Sequence, residues 1–270
     1  MNKYILLLSV LCLFACKELS TTKKTIAAPV TEKVTPPEPT VPTIQEDPTI
    51  TIDYIMGKFD PTKHKDFILV KPPHSDGNSR YLHKETWAAF QKMYQAAKKD
   101  GITLQIRSAT RNFDAQKGIW EAKWTGKRLV QGGENLAKST PDPTKRAIKI
   151  LRWSSMPGSS RHHWGTDIDI NAFENDYFEK GKGLKEYNWL VANGPTYGFC
   201  QPYTPKDAKR PNGYNEEKWH WSYIPLAKKL SDQAKIRLKD EMIQGFKGSE
   251  TAKDIGIVEN FVLGINKECL

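Results

Sequence analysis

The chain has few cysteines, and their spacing suits no metal site built on thiolates. Four of the 270 residues are cysteine. Cys12 and Cys16 lie near the N-terminus, whereas Cys200 and Cys269 lie far apart in the rest of the chain. No Cys-x-x-Cys pair occurs, which excludes a zinc site of the Cys-rich kind. The sequence leaves open whether Cys200 and Cys269 pair in an oxidising compartment or remain buried free thiols.

Long hydrophobic runs are also absent. The apolar stretch at residues 4–13 is too short to span a bilayer as a mature helix, which takes roughly 20 apolar residues. Lys3 precedes this stretch and Cys16 follows it, as in a secretory signal that ends in a lipobox. The segment resembles bacterial lipoprotein signals, in which the cysteine is lipidated and becomes the new N-terminus. We therefore expect a lipoprotein signal peptide at residues 1–15 and a lipid on Cys16; the alternative is an ordinary cleaved signal or a plain anchor.

The segment that follows has no apolar periodicity. Residues 16–47 are rich in Thr, Pro, Lys and Glu, so they bury too little apolar surface to offset the entropy of ordering. We expect them to be a disordered tether. The folded domain is expected at residues 48–270, because Ile50, Ile52 and Tyr54 restore a period-two alternation that is typical of a strand.

The positive charge of the chain is scattered rather than clustered. The formal net charge is +10, which suits an anionic envelope of phospholipid headgroups or acidic wall polymers. The lysines form no recognition motif and the signal directs the chain out of the cytoplasm, so we expect no nucleic-acid partner. The expected location is the bacterial cell envelope, periplasmic or surface-exposed, where the chain is a monomer attached to the membrane through its N-terminal lipid.

Two short segments carry the candidate chemistry. Residues 160–169 read SRHHWGTDID, and residues 217–220 read EKWH. Together they offer three imidazoles, two aspartate carboxylates and a glutamate three positions before the last histidine. These groups are the parts of a hydrolytic zinc site, which needs three protein ligands, an open position for water and a general base.

The segments resemble the D-alanyl-D-alanine carboxypeptidase and dipeptidase metallopeptidases, the family of the vancomycin-resistance D,D-carboxypeptidases. That family carries Ser-x-His-x-x-Gly-x-x-x-Asp followed by Glu-x-Trp-His. Residues 108–116 resemble its Ser-x-x-Arg…Gln stretch, and residues 189–199 resemble its Trp-Leu-x-x-Asn…Tyr-Gly-Phe segment. The four segments occur in the family's order, over residues 108–220.

The resemblance implies a role for each matched residue. It implies one Zn²⁺ per chain, held by His162, Asp169 and His220, with Glu217 as the catalytic base. It also implies that Arg111 faces the substrate, where an arginine stabilises an oxyanion or binds a terminal carboxylate. Further substrate contacts implied by the resemblance are Ser108, Gln116 and Ser160.

Two positions have more than one interpretation. The family carries a small apolar residue where this chain has Asp167. Residues 166–170 alternate as a strand does, so Asp167 and Asp169 are expected on one face. Asp167 is then an acceptor that orients a ligand histidine, a solvated neighbour, or the ligand in place of Asp169. Glu217 is either the catalytic base or a further metal ligand. His163, next to His162, is expected to have no role in the chemistry beyond lining the cleft.

The predicted elements indicate an α+β domain, because helices and short strands occur without βαβ regularity. The resemblance implies a compact antiparallel sheet with flanking helices and the zinc site on the sheet, the D,D-peptidase or hedgehog-like fold. Residues 126–160 are long and punctuated by Pro and Gly, so part of them is expected to border the cleft. Periodicity predicts helices at residues 84–99, 113–124 and 249–265, and strands at residues 102–106, 166–170 and 219–224.

The residues alone indicate a zinc hydrolase of an amide-like bond. The resemblance implies that its substrates are peptidoglycan stem peptides, and favours a D,D-carboxypeptidase over an L,D-carboxypeptidase, a dipeptidase or a wall endopeptidase. The rival hypothesis is a non-catalytic envelope lipoprotein that binds wall peptide. Such a protein is expected to have lost the base or a ligand, and the sequence retains them all.

Overall fold

The computed structural model describes residues 43–270. The expected signal peptide at residues 1–15, the lipidation site Cys16 and most of the expected tether lie outside the described residues. Within the described part, no helix has both the length and the apolar character needed to cross a membrane. At the start of the described part, the backbone of Gln45 and Asp47 is hydrogen-bonded to the side chain of Gln233 (2.8 and 2.9 Å).

The candidate site rests on a four-stranded antiparallel sheet. The strands, in chain order, are β1 (Phe67–Val70), β2 (Arg80–His83), β3 (Ile106–Ser108), β4 (Asp167–Ile170), β5 (Phe199–Cys200) and β6 (His220–Tyr223). The sheet has the order β3-β4-β6-β5, whereas β1 and β2 form a separate antiparallel pair. All neighbouring strands of the sheet are antiparallel, which confirms the predicted α+β fold.

Two of the predicted helices begin and end at the predicted residues. The helices are α1 (Ile52–Ile55), α2 (Lys84–Lys99), α3 (Phe113–Trp124), α4 (Leu136–Ser139), α5 (Pro143–Ile150), α6 (Gly181–Asn193), α7 (Ile224–Arg237) and α8 (Ala252–Ile255). The confirmed helices are α2 and α3. The side chain of Asn112 accepts a hydrogen bond from the Ala115 N–H (2.9 Å) and caps α3. Gly101, with φ of 74°, follows the end of α2.

Three predicted elements are wrong in whole or in part. Residues 52–55 form α1 rather than a strand, because Thr51 Oγ1 accepts a hydrogen bond from the Tyr54 N–H (3.1 Å) and caps a helical turn. The strand predicted at residues 102–106 starts only at Ile106. The C-terminal helix predicted at residues 249–265 is divided into short turns, because Gly256, with φ of 67°, ends α8 after four residues.

Alternation along the central strands separates the core from the site. Ile168 and Ile170 of β4 are buried in a hydrophobic cluster with Phe90 of α2. The residues that alternate with them, Asp167 and Asp169, project to the opposite face of the sheet. The polar face therefore sits on a strand whose other face is anchored in the core, which makes it a rigid support for a functional site.

A disulfide links the sheet to the C-terminal segment. Cys200, at the end of β5, is bonded to Cys269, the penultimate residue. Of the two states that the sequence left open, the structure has the paired one. The bond encloses β6, α7 and α8 in a covalent loop.

Candidate metal centre and active-site cleft

Three candidate ligands come together at a cleft. Asp169 lies on β4 directly opposite His220 on β6, and His162 lies in the 3₁₀ turn Arg161–Trp164 that precedes β4. One ligand atom from each residue lies within 4.8 Å of the others, and all three residues are buried. His220 Nδ1 is 3.1 Å from Asp169 Oδ1, and His162 Nε2 is 3.5 Å from Asp169 Oδ2.

The donor atoms of this group fit a divalent metal ion. Asp169 Oδ1 is buried and accepts no hydrogen bond, which is costly unless an ion meets it. In each imidazole, the ring nitrogen that does not face Asp169 already has a protein partner. His162 Nδ1 contacts the Ala109 carbonyl oxygen (2.9 Å), and His220 Nε2 contacts Asp167 (2.9 Å). The other ring nitrogens face Asp169, and two imidazoles with one carboxylate are a ligand set typical of hydrolytic zinc.

A further carboxylate stands beside this group. Glu217 Oε2 lies 3.3 Å from His220 Nδ1, and Glu217 lines the cleft. Burial raises the pKa of Glu217, and the contact with His220 offsets part of that effect. Glu217 is not a member of the three-residue group, and its position suits a group that exchanges protons with a reacting water.

Arg111 is fixed in the cleft by the residues that the sequence assigned to the substrate. Its Nε donates to Gln116 Oε1 (2.9 Å), and its Nη1 donates to Ser108 Oγ. The Nη1 atom also lies 3.6 Å from Asp169 Oδ2. Gln116 is held in turn, because its amide nitrogen donates to the Ser155 carbonyl oxygen (2.8 Å). Ser108 and Gln116 line the cleft, and their contacts give them the task of orienting the guanidinium.

Two residues of the histidine motif lie away from the cleft. Ser160 is 1% exposed and does not line the cleft, so its contact with a substrate stays a prediction. His163 is also fully buried, so it does not line the cleft either. Its Nε2 accepts from the Gly158 N–H (3.0 Å) and its Nδ1 contacts the Arg111 carbonyl oxygen. Burial lowers the pKa of His163 to about 3, so the ring is a neutral bridge that positions the Arg111 backbone.

Asp167 is neither a solvated neighbour nor a member of the ligand group. It is fully buried, and its Oδ2 accepts from Arg161 Nε (3.2 Å) on the side away from the cleft. Burial favours its protonated form, but Arg161 and His220 outweigh burial and lower the pKa of Asp167. Arg161 was not predicted as part of the site; the available signal was its position directly before the candidate ligand His162.

The cleft has a basic wall that the sequence did not reveal. The volume of the whole cleft is about 680 Å³. Burial lowers the pKa of Lys123 to about 8, and the nearby Arg128 adds to that effect. Helical spacing was the available signal for Lys123, which lies two turns after Gln116 on α3. Trp153 lies at the cleft, as expected for part of residues 126–160. The basic residues that line the cleft are Arg80, Arg107, Arg111, Lys123 and Arg128.

Comparison with known families agrees with this geometry. The sequence model of the VanY family, described as D-alanyl-D-alanine carboxypeptidase, matches residues 79–226. The match covers more than half of the chain and includes the three candidate ligands, Glu217 and Arg111. The chain belongs to this family. Membership supports a peptidase activity of the carboxypeptidase kind.

Individual relatives match over part of their length. A D-alanyl-D-alanine carboxypeptidase of Enterococcus faecalis is 30% identical over 136 residues, which is 50% of this chain and 46% of that protein. The carboxypeptidase-like protein YodJ of Bacillus subtilis is 31% identical over 147 residues, or 54% of this chain and 47% of its own. The chain thus spans about half the length of these relatives. A VanY D,D-pentapeptidase from a VanB-type resistance cassette, solved with Zn(II), is 25% identical with a TM-score of 0.42, covering 60% of this chain and 83% of that one.

Proposed function

We propose that this protein is a zinc-dependent D-alanyl-D-alanine carboxypeptidase that trims peptidoglycan stem peptides. The observation that carries the proposal is the meeting of the three-residue ligand group, Glu217 and Arg111 in one cleft. Membership of the VanY family supports the carboxypeptidase activity. The substrate is then a stem peptide that ends in D-Ala-D-Ala, and the product is the peptide shortened by one residue.

Each side chain has a task in that reaction. Zinc, when bound by His162, Asp169 and His220, supplies a Lewis acid and lowers the pKa of water to about 7. Glu217 takes the proton of the attacking water and delivers it to the amine of the departing D-Ala. Arg111 donates to the negative charge that develops on the scissile carbonyl, and its bonds to Ser108 and Gln116 hold it in place for that role.

The charge of the cleft supports an exopeptidase. A carboxypeptidase substrate carries a free carboxylate one residue beyond the scissile bond, whereas an endopeptidase substrate has a neutral peptide bond there. Lys123 and Arg128, which line the cleft with Arg111, attract an anionic chain end. An L,D-carboxypeptidase or endopeptidase activity is an alternative outcome of the assay below.

We also propose that a lipid on Cys16 anchors the protein in the bacterial envelope. The apolar segment that precedes this cysteine supports the anchor. The disulfide between Cys200 and Cys269 supports export, because such bonds persist in oxidising compartments. The Thr- and Pro-rich segment at residues 16–47 then lies between the lipid and the zinc peptidase domain.

The decisive experiment is mass spectrometry of stem peptides after incubation with the purified, metal-analysed protein. A peptide ending in D-Ala-D-Ala is expected to lose one D-Ala, and the protein is expected to contain about one zinc per chain. Glu217→Gln is the matched control, because it keeps the size and the zinc ligands but removes the base; its turnover is expected to fall by about 10²–10⁴. If the wild-type protein binds the peptide but releases no amino acid, and Glu217→Gln behaves identically, the protein is a wall-binding module and the proposed activity is wrong.

A further inference from the structure

Asp167 sits at the centre of a buried polar network behind the cleft. Both of its carboxylate oxygens have two partners. Oδ2 accepts from Arg161 Nε (3.2 Å) and lies 2.9 Å from His220 Nε2. Oδ1 accepts from Thr166 Oγ1 (2.6 Å) and Ser222 Oγ (2.8 Å). With four partners on two oxygens, the carboxylate has a single orientation.

Arg161 fixes this carboxylate from the side away from the metal centre. Its Nη1 donates to Ser231 Oγ of α7 (2.8 Å), and its Nη2 donates to Ser222 Oγ of β6 (2.9 Å). The guanidinium carbon lies 4.7 Å from the centroid of the Trp164 ring. Arg161 and Asp167 are both fully buried and neither lines the cleft, so this ion pair does not contact a substrate.

The position of Asp167 decides which nitrogen of His220 can bind a metal. An ionised carboxylate can only accept hydrogen bonds, so the proton of a neutral His220 ring lies on Nε2. Nδ1 then keeps its lone pair, and Nδ1 is the atom that lies 3.1 Å from Asp169 Oδ1. The opposite tautomer would place a lone pair of Nε2 against the carboxylate and a proton on the atom that faces the ligand group.

The two histidines of the centre are held by different kinds of partner. His162 Nδ1 contacts the backbone carbonyl oxygen of Ala109 (2.9 Å), a group that any residue at that position supplies. His220 instead depends on the side chain of Asp167. This carboxylate can be removed by substitution, whereas the Ala109 carbonyl cannot.

We propose that Asp167 is a positioning residue that holds His220 in the tautomer and orientation of an Nδ1 metal ligand, with Arg161 as its clamp. The inference rests on the proposed function, because it takes the three-residue group to bind zinc. A carboxylate behind a ligand imidazole typically improves metal affinity by about 10–100-fold. Asp167 therefore makes zinc binding tighter without touching zinc or substrate.

The test compares Asp167→Ala with Asp167→Asn, both in an Arg161→Met background so that neither leaves a guanidinium unpaired. The asparagine amide oxygen still accepts the Nε2–H of His220, whereas alanine offers no acceptor. Zinc affinity is measured by competition with a chelating dye. The Nε2–H of His220 is followed by NMR in the zinc-loaded protein, where exchange of this proton with water reports its hydrogen bond. Ser231→Ala is the control, because it disturbs Arg161 but leaves Asp167 against His220.

The alanine variant is expected to bind zinc about 10–100-fold more weakly than the asparagine variant, with faster exchange of the His220 proton. Ser231→Ala is expected to lower the melting temperature while keeping the zinc affinity of the wild type. Equal zinc affinities for the alanine and asparagine variants, or a metal-bound Nε2 in the wild type, would overturn the role of Asp167. A wild-type protein that binds no zinc would instead contradict the proposed function itself.

Discussion

At the scale of single residues, Arg111 is oriented before any substrate arrives. Gln116 and Ser108 bind its guanidinium, and His163 contacts its backbone carbonyl. The Arg111 side chain is 24% exposed, so part of the guanidinium faces the cleft while Gln116 and Ser108 hold the rest of it in place. Preorganised donors of this kind lower the barrier because they need no rearrangement as charge develops.

Replacing Arg111 therefore tests the cleft chemistry apart from the metal. Arg111→Ala is expected to lower kcat/KM for a D-Ala-D-Ala peptide by about 10²–10³ while the zinc content stays unchanged. Steady-state kinetics and metal analysis of the same preparation measure both quantities. Arg128→Ala is the matched control, since Arg128 lines the cleft but has no contact with the ligand group; its effect should be smaller and confined to KM. Wild-type turnover in Arg111→Ala would exclude the arginine from the reaction.

The candidate ligands could be predicted because metal chemistry restricts residue type and spacing. The resemblance to the family then selected His162, Asp169 and His220, because zinc chemistry alone does not separate them from the nearby His163 and Asp167. The burial of Ser160 could not be predicted, because a motif does not state which way a side chain points and the 3₁₀ turn that follows leaves this residue buried. Contacts between distant segments, such as that of Arg161 with Ser231, depend on tertiary structure and leave no local pattern.

At the scale of elements, long periodic segments were predictable and short turns were not. The sixteen residues of α2 show several helical repeats with a clear end. By contrast, α1 has four residues, and a short apolar alternation fits a strand as well as a helical turn. Capping by Thr51 decided the outcome there, and Gly256 decided it in the C-terminal segment.

The turn that presents His162 depends on a glycine. Gly165 ends the turn with φ of 73°, and a Cβ at this position would lie 2.5 Å from the Phe67 ring and 2.9 Å from the His83 backbone nitrogen. The motif's glycine is thus required where the end of this turn packs against Phe67 of β1 and the end of β2. The backbone nitrogen of His83 also donates to the Gly165 carbonyl oxygen (3.2 Å), so the neighbour cannot move away freely.

Gly165→Ala is accordingly expected to lower the free energy of unfolding by more than the roughly 1–3 kcal/mol of a strained backbone alone. Urea denaturation of the metal-free protein measures this. Gly132→Ala is the matched control, because Gly132 has a similar φ of 79° but no atom within 4 Å of the added Cβ. If the two substitutions lower the free energy of unfolding by the same amount, crowding around Gly165 contributes nothing to the loss of stability.

At the scale of the whole molecule, the disulfide is expected to contribute a large part of the free energy of unfolding. The paired cysteines are 69 residues apart in sequence, and cross-linking a loop of that size stabilises a protein by roughly 4 kcal/mol in the chain-entropy description. Cys200→Ala/Cys269→Ala is expected to lower the free energy of unfolding by about 2–5 kcal/mol. Denaturation with and without a reductant checks this, since the reductant should weaken the wild type and leave the double variant unchanged.

The attachment of the molecule to its surroundings is tested through Cys16. If this residue is lipidated, the wild-type protein partitions into the membrane fraction and Cys16→Ala does not, because the variant lacks the acceptor thiol. Fractionation followed by immunoblotting of the two forms, expressed in a bacterium that processes lipoproteins, measures the difference. Equal recovery of both forms in the membrane fraction would contradict lipidation.

Because Asp169 on β4 lies directly opposite His220 on β6, assembly of the candidate metal centre depends on the register of these two strands. A slip of one residue exchanges the two faces of a strand, so it would bring Ile168 or Ile170 to the place of Asp169. A sheet misaligned by one residue therefore cannot assemble the three ligands. If the group binds zinc as proposed, the ion disfavours a one-residue slip of β4 against β6, and zinc content reports that this slip has not occurred.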